Sequence, residues 1–153
     1  MTRKVMGWGE WCSLPSLRIP AIKAKIDTGA KSTALHAIDI QKIENQVLFK
    51  VNPLMHRKDF FISCQAKLHD IRSIKNSGGI IEDRYVIRTP LCIDQEQWDI
   101  DITLTNRYEM SFRLLIGRDA IKGKFVVDPG LFLVLFKPKK KDVMRLYENC
   151  DSL

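Results

Sequence analysis

Residues 24–30 read AKIDTGA, an alternating apolar segment that runs into an acid, a hydroxyl residue and a glycine. A carboxylate at the end of a buried strand costs free energy unless its charge is stabilised or its pKa is shifted. Gly29 has no side chain, so the backbone can turn sharply and direct the Gly29 N–H back at Asp27, while Thr28 offers a hydroxyl donor. The triplet therefore predicts a carboxyl group held rigidly beside open space, although a plain tight turn uses the same residue types.

The rest of the chain has the pattern of an all-β protein. Short runs rich in Val, Ile, Phe and Leu recur along it, and turn residues separate several of them at 52–53, 77–79 and 128–130. Many short strands with regular punctuation predict a barrel or a sandwich. The best candidate for a helix is one or two turns at 117–123, with Gly123 at its C-terminal end.

Length and composition fit a single domain. The 153 residues, 45% of them hydrophobic, are enough to bury a core. We expect this domain to span residues 1–136 and residues 137–153 to form a basic C-terminal tail, in which the charge run 137–142 is mobile or solvated. The longest apolar run, LFLVLF at 131–136, is too short to cross a bilayer, and the N-terminus lacks the apolar segment of a signal peptide.

Charge and cysteine spacing narrow the expected partners and compartment. The net charge of +7 favours acidic partners, although a solvated basic surface has the same balance. The four cysteines are spaced at long and irregular intervals, which fits reduced thiols in a cytoplasmic protein better than a disulfide framework. We therefore expect a cytoplasmic protein that does not associate with membranes.

A second motif, LLIGRDAI at 114–121, strengthens the signal from AKIDTGA at 24–30. The two motifs, in this order, resemble the retropepsin-like aspartic proteases, in which an apolar-apolar-Gly strand passes beside an Asp-Thr/Ser-Gly turn and a short helix follows. The resemblance implies an all-β, closed acid-protease barrel with one short helix. The separation is longer than in the viral enzymes and implies an insertion, in which 74–82 is the candidate for a flap hairpin with Gly78 and Gly79 at its tip.

Further motifs narrow this resemblance. GWGEWCSLPSL at 7–17, LTNRYEMSFRLLIGRDAI at 104–121 and VVDPG at 126–130 are together similar to a bacterial and archaeal family of small retropepsin-like proteins, often labelled ATP-dependent zinc proteases. Members are associated with an ATP-grasp ligase that adds glutamates to a ribosomal protein. The resemblance therefore implies a ribosomal-protein glutamate ligase as a partner.

The residues do not support the zinc or the ATP in that label. The chain has no H-E-x-x-H, and no two of its histidines, His36, His56 and His69, stand at i, i+4 spacing. It also has no G-x-x-x-x-G-K-[ST] loop for ATP phosphates. We therefore expect no metal and no cofactor, and we interpret His36, which lies in a strand-like stretch, as structural.

The resemblance implies catalysis by two carboxyl groups that share a proton. The chain has one D-T-G, and neither Asp119 nor Asp128 repeats the turn. The second carboxyl would then be Asp27 of a second copy, which requires a homodimer. Thr28 would brace the pair across the two-fold axis, and Gly29 would help to bind the substrate backbone.

The same resemblance assigns Ala30, Lys31 and Arg118, together with Gly78 and Gly79, to substrate binding. Viral members place an acid where this chain has Lys31, and that acid pairs with the arginine. Lys31 and Arg118 would repel, so this ion pair cannot be carried over.

Lys31 suggests acidic substrates. A basic cleft formed by Lys31, Arg118, Arg84 and Arg88 would favour glutamate-rich peptides. Asp119 is a candidate partner for Lys31 in place of the missing viral ion pair.

Two other functions stay open. A non-catalytic retropepsin-like domain would bind a peptide or the ligase without cutting, because a fold does not guarantee activity. A basic barrel would bind RNA, but the strands lack an obvious aromatic stacking platform, so nucleic acid is not favoured. The run 131–136 fits either a strand at the dimer interface or a core strand.

Overall fold

The structure is a computed structural model that describes residues 3–76 and 78–151, with side chains as far as Glu148. Ser77 of the predicted 77–79 turn and the side chain of Cys150 lie outside the described residues. The strands are β1 (Lys4–Met6), β2 (Gly9–Leu14), β3 (Ile19–Asp27), β4 (Thr33–His36), β5 (Ile38–Ile43), β6 (Gln46–Val51), β7 (Ile62–Lys67), β8 (Asp70–Lys75), β9 (Ile81–Ile93), β10 (Glu96–Thr105), β11 (Leu114–Gly117) and β12 (Phe125–Val127). The helices are α1 (Arg118–Ile121) and α2 (Val143–Asp151), with 3-10 turns at Pro15–Leu17 and Lys140–Asp142.

The main sheet closes on itself. Its strand order is β10-β4-β11-β3-β2-β9-β8, and β9 also pairs antiparallel with β10, with Leu91 opposite Trp98. Six strands therefore form a ring, and β8 lies outside it on β9. The predicted all-β closed barrel is confirmed.

The core lies inside this ring. Ile22, Leu35, Ile87, Ile102 and Leu114 come from five different strands, and each is fully buried. Burying each such side chain contributes about 1.5–3 kcal/mol relative to its exposure. Apolar packing between strands distant in sequence therefore holds the barrel together.

Two smaller sheets flank the barrel. β5, β6 and β7 form an antiparallel sheet, and β1 pairs in parallel with β12. In the part of the chain that is described, no helix has the length and apolar character needed to cross a membrane.

The short helix expected after Gly117 is α1. It ends before Gly123, whose φ of 82° is a left-handed conformation that glycine adopts without strain. The prediction of one short helix at this position is confirmed.

After the charge run 137–142, the C-terminal segment forms a helix that packs on the barrel. Val143 and Tyr147 of α2 are buried in the barrel's core cluster, and the Tyr147 hydroxyl donates a hydrogen bond to the Ala21 carbonyl. Tyr147 also meets Phe60 edge-on, with ring centroids 5.2 Å apart. The lysine run is thus followed by an apolar helix face that packs on β3. The domain boundary at residue 136 stays a prediction.

The apolar segment 131–136 is not a core strand. Phe132, Val134 and Phe136 are 41, 45 and 54% exposed. The segment runs beside β2, where the Leu133 N–H donates to the Gly9 carbonyl at 2.9 Å. Of the two interpretations of this run, the core strand is wrong.

Three cysteines, Cys12, Cys64 and Cys92, carry free thiols, as predicted. Burial raises the pKa of the Cys64 thiol to about 12 and raises that of Cys12 as well. These two thiols therefore stay protonated at neutral pH and behave as small apolar side chains.

Candidate active site

The Asp27 turn forms where β3 ends. β3 lies parallel to β11, with Asp27 opposite Gly117. The Gly29 N–H donates to Asp27 Oδ1 at 3.0 Å, as the sequence predicted, and the Ala30 N–H donates to the Asp27 carbonyl at 3.2 Å. Asp27 is half-buried, whereas Thr28 and Gly29 are exposed. The carboxyl group is therefore fixed at one oxygen while its turn faces solvent.

Gly117 allows β11 to approach this turn closely. A Cβ at Gly117 would lie 2.4 Å from the Ser32 carbonyl oxygen and 2.7 Å from that of Lys31. The Gly117 N–H donates to the Thr33 hydroxyl at 3.1 Å. The glycine is required here because any side chain would collide with the backbone that follows the turn.

Arg118 and the start of α1 hold the turn from the other side. The Arg118 N–H donates to the Ala30 carbonyl at 2.8 Å, and its Nη1 donates to the Gly29 carbonyl at 3.2 Å. The Asp119 N–H donates to the Lys31 carbonyl at 3.2 Å, but the ion pairs of the described residues do not include Lys31 with Asp119. In the viral pattern the arginine pairs with an acid, whereas Arg118 here contacts backbone carbonyls instead. The suggested Lys31–Asp119 ion pair does not form.

No hydrogen bond in the described part of the chain joins Asp27 to a second carboxyl group. The hydroxyl of Thr28 likewise makes no hydrogen bond to the residues that are described. Both groups are available to a further molecule, so the bracing role of Thr28 stays a prediction.

The hairpin at 74–82 forms between β8 and β9. Asn76 Oδ1 accepts hydrogen bonds from the N–H groups of Gly78 and Ile80 at 2.9 and 3.0 Å, and Gly79 has a φ of 83°. No hydrogen bond among the described residues connects this tip to the Asp27 turn. The hairpin is present, and its role as a flap stays a prediction.

A cavity of about 300 Å³ lies beside the residues that follow the turn. Three acidic side chains line it, those of Asp99, Asp101 and Asp119, against five cationic ones. The cationic side chains are those of Lys31, Arg72, Arg88, Lys122 and Lys124. We call this the cationic cavity, since its charged lining has a net positive charge of two.

Asp101 pairs with two of the five cationic side chains. Its carboxylate accepts hydrogen bonds from Arg72 Nη2 and Arg88 Nη1, each at 2.8 Å, and His69 Nε2 lies 3.7 Å away. Burial alone would raise the pKa of Asp101, but the hydrogen bonds from the two arginines hold it below its ordinary value. The cations left without an ion pair to any described residue are Lys31, Lys122 and Lys124.

Two of the four expected cleft cations are placed elsewhere. Lys31 and Arg88 do line the cationic cavity. Arg84 is 5% exposed and pairs with Glu82 at 3.1 Å, and Glu82 also accepts from the Thr105 hydroxyl. Arg118 lines an adjoining depression with Thr28, which shares Asp119 and Lys122 with the cationic cavity. The placement of Arg84 in a basic cleft is therefore wrong, because its charge is used inside the structure.

His36 is structural, as we interpreted it. It is 3% exposed, its Nδ1 accepts the Arg107 N–H at 3.0 Å, and Tyr108 packs against its edge. Burial is the main reason why its pKa is lowered. Within 3–76 and 78–151, no three His, Cys, Asp or Glu side chains are grouped so that they could hold a metal ion.

Sequence reasoning missed several features of this region. Asp128 does repeat the local hydrogen bond of the Asp27 turn, since the Gly130 N–H donates to its Oδ1 at 2.9 Å. Asp-x-Gly was the available signal, because this spacing favours such a turn whatever the middle residue. Lys122, Lys124 and Asp101 carried no signal, because only the fold brings them to Lys31.

The chain is similar in sequence to one protein family and to several named proteins. Residues 5–138 match the family described as "RimB-like: Retropepsin-like aspartic endopeptidase RimB". A probable alpha-L-glutamate ligase of Desulfotalea psychrophila is 43% identical in an alignment of 151 residues that covers 96% of this chain and 32% of that protein. One of Parasynechococcus marenigrum is 43% identical in an alignment of 134 residues that covers 84% of this chain and 29% of that protein. The chain thus spans about a third of the curated relatives that it matches.

A solved structure from Legionella pneumophila has a similar fold. It is a protein of unknown function, 30% identical, with a TM-score of 0.73. The match covers 87% of this chain and 98% of that one.

Proposed function

Because the chain belongs to the RimB-like family of retropepsin-like aspartic endopeptidases, we propose that it hydrolyses peptide bonds with Asp27 as a catalytic carboxyl group. One observation carries the proposal. Asp27 ends a barrel strand half-exposed, with Oδ1 fixed by Gly29 and with Oδ2 making no hydrogen bond to a described residue. A rigid carboxyl group with one oxygen available is what activation of a water molecule requires.

The mechanism needs a second carboxyl group, and we propose that Asp27 of a second copy supplies it. Two carboxyls at such close range share one proton, because both cannot be ionised. The ionised one takes a proton from water as the water oxygen attacks the peptide carbonyl, and the protonated one donates to the carbonyl oxygen. When the tetrahedral diol collapses, the carbon–nitrogen bond breaks and the carboxyl that was protonated by the water gives that proton to the leaving nitrogen. The other carboxylate takes a proton back from a hydroxyl of the diol, which becomes the product's carboxyl group. The pair returns to its starting state and titrates as a unit.

The exposed apolar segment 131–136 supports a homodimer. The Trp8 ring stacks on Phe132 with centroids 4.4 Å apart, and the Trp8 carbonyl accepts the N–H of Ile26, the residue before Asp27. An apolar surface therefore lies beside the Asp27 turn. Such surfaces, when contiguous, mark sites of association.

The dimer is tested by sedimentation across a concentration series. Phe132→Glu, which puts a charge on this surface, should weaken association by at least about tenfold, since an isolated buried charge is costly. Ile71→Glu is the matched control, because Ile71 is 49% exposed on β8 and belongs to a different surface. Equal effects of the two changes, or a wild-type monomer at all concentrations, would contradict the proposed interface.

The cationic cavity supports acidic peptides as substrates. Lys31 follows the Asp27 turn directly, and Lys122 and Lys124 have no ion pairs to described residues. A glutamate side chain near these lysines gains an attraction that salt weakens. Arg72 and Arg88 contribute less, because Asp101 already occupies both.

The names of the relatives suggest which kind of enzyme would produce glutamate-rich substrates. They are named probable alpha-L-glutamate ligases, and the sequence resemblance implied a ribosomal-protein glutamate ligase as a partner. We propose that this chain acts with such a ligase and trims glutamate-rich tails. The ligase activity itself is not assigned to this chain, which matches about a third of those proteins.

Cleavage of a glutamate-rich peptide by the purified chain tests the proposal. Asp27→Asn should reduce the rate by about 10³-fold or more, because it removes a general acid–base group. Asp128→Asn is the matched control, since both carboxylates accept an N–H from the glycine two residues on. It should leave the rate within about twofold. Raised salt should slow cleavage of the acidic peptide more than that of a neutral one.

The alternative is a domain that binds acidic peptide without cutting it. Lys31, Lys122 and Lys124 would attract an acidic peptide in this case too, because that attraction does not depend on a second Asp27. In that case the wild type and Asp27→Asn would bind the peptide equally, and neither would release products. That result would reject the peptidase and leave the acidic ligand in place.

A further inference from the structure

A second cavity, of about 360 Å³, lies against β2 and β3, where the C-terminal segment crosses them. Its apolar lining includes Trp11, Leu54, Met55, Leu133 and Val143. Ligand sites are typically concave, mostly apolar and about 300–1,000 Å³ in volume. This cavity has those properties and shares no lining residue with the cationic cavity.

The charged lining of this cavity is cationic. Lys23, Lys137 and Lys140 line it together with His56, and no Asp or Glu does. None of the three lysines forms an ion pair with a described residue. The Lys23 ammonium lies over the Trp11 ring, 5.3 Å from its centroid, which compensates one charge only in part. The cavity therefore combines an apolar interior with an unneutralised positive charge.

The backbone at Leu133 is strained. Leu133 has a φ of 53°, a left-handed conformation that is rare for a bulky residue and costs about 1–3 kcal/mol. Hydrogen bonds on both sides hold it there: its own N–H donates to the Gly9 carbonyl, and the Leu135 N–H donates to Glu10 Oε1 at 3.1 Å. Strain of this kind clusters at ligand sites, and here it occurs in a residue of the cavity wall.

We propose that this cavity binds an apolar chain that ends in a carboxylate. The apolar part would lie against Trp11, Leu54 and Leu133, and the carboxylate would lie between Lys137 and Lys140. At about 30 Å³ for each water-sized group, the volume accommodates a ligand of about ten non-hydrogen atoms. A free aliphatic carboxylate and the apolar C-terminal residue of a peptide share this chemistry.

The site is distinct from the proposed catalytic centre. Lys23 precedes Asp27 by four residues on β3, which places it about 13 Å along the strand. The inference stands whether or not the chain cuts peptides.

Calorimetric titration with octanoate tests the proposal on the full chain. Octan-1-ol and octylamine have the same alkyl chain without the negative charge. We expect octanoate to bind at least about tenfold more tightly than octan-1-ol, octylamine not to bind, and octanoate affinity to fall as salt is raised. Equal binding of octanoate and octan-1-ol, or no binding of octanoate, would overturn the proposal.

Paired lysine changes locate the carboxylate. Lys137→Gln with Lys140→Gln should weaken octanoate binding about fivefold, the size expected for two exposed charge contacts. Lys139→Gln with Lys141→Gln removes the same charge from exposed positions that do not line the cavity, and it should change affinity less than about twofold. Equal losses in the two variants would reject the site.

A short peptide ending in leucine distinguishes the two sources of ligand. If it displaces octanoate with a free C-terminus and fails to do so when amidated, the site accepts a peptide end. If neither form competes, the ligand is a free carboxylate. Competition by the amidated form as strongly as by the free acid would contradict a carboxylate site.

Discussion

The turns that follow β3 and β12 have the same local hydrogen bond in different surroundings. In each, an aspartate Oδ1 accepts the N–H of the glycine two residues on, at 3.0 Å for Asp27 and 2.9 Å for Asp128. The Asp128 turn is exposed and is tied to β1 through the Asp128 N–H and the Met6 carbonyl. The Asp27 turn also faces solvent at Thr28 and Gly29, but β11 and α1 pack against its other side.

The difference shows that the local turn alone does not set Asp27 apart from Asp128. What distinguishes Asp27 is the close approach of Gly117, the hydrogen bonds from Arg118 and the cationic cavity beside Lys31. These contacts join residues about 90 positions apart in the chain. The environment of a carboxyl group, and not its own turn, gives it a distinct role.

Among the changes that test this comparison of the Asp27 and Asp128 turns, Gly117→Ala should have the largest effect. Its Cβ would lie 2.4 Å from the Ser32 carbonyl oxygen, so β11 must move away from the turn. We expect the free energy of unfolding, measured with urea, to fall by about 3 kcal/mol. Gly130→Ala is the control, because its Cβ would meet only Asp128 Oδ1, at 3.2 Å. Similar losses at both positions would mean that the two turns are equally constrained.

Glu10→Ala should loosen the segment that follows the Asp128 turn. The buried Glu10 carboxylate accepts the Gly7 N–H at 2.7 Å and the Leu135 N–H at 3.1 Å. Losing both bonds should lower the free energy of unfolding by about 2 kcal/mol. Glu96→Ala, at an exposed position, should change it by less than about 0.5 kcal/mol. If Glu10→Ala leaves amide exchange at Leu135 unchanged, this carboxylate does not hold the segment.

Asp101→Asn should change how the stability of the protein depends on pH, because Asp101 lines the cationic cavity and accepts hydrogen bonds from Arg72 and Arg88. Hydrogen bonds from Arg72 and Arg88 outweigh the opposing effect of burial and lower the pKa of Asp101 below its ordinary 3.8. Its contribution is therefore complete above pH 3.8 and is lost as pH falls through the lower pKa of the folded state.

We expect Asp101→Asn to cost about 1 kcal/mol at pH 7, with the difference from wild type shrinking below pH 3.8. Urea unfolding at pH 7, 5 and 3 measures it. Asp99→Asn is the control, because Asp99 lines the same cavity and forms no ion pair with a described residue. A difference that is constant with pH would show that the arginines do not stabilise the ionised form.

Arg118→Met should have the smallest effect on stability. The guanidinium is exposed and donates to the Gly29 carbonyl at 3.2 Å, so we expect a loss of about 0.5 kcal/mol in the free energy of unfolding. Amide exchange at Gly29 should rise, while exchange at Gly130 should not. Arg145→Met, on the exposed side of α2, is the control. Unchanged exchange at Gly29 would assign the rigidity of the turn to the backbone alone.

The sequence by itself determined the features that depend on neighbours along the chain. Alternating apolar runs predicted the strands, Asp27-Thr28-Gly29 predicted the turn and its hydrogen bond, and Gly123 marked the end of α1. These features follow from side-chain periodicity and backbone freedom within a few residues. The family motifs added the closed barrel, which local pattern alone left open against a sandwich.

Only the tertiary structure decided what covers each segment. An apolar run is the same in sequence whether it is buried or exposed, so 131–136 could not be placed. The lysine run gave no indication that one face of α2 is buried. The cationic cavity is lined by Lys31, Arg88 and Lys124, which come from separate parts of the chain. The physical reason is that burial and charge pairing depend on contacts between distant residues, and those contacts exist only once the ring of strands has closed.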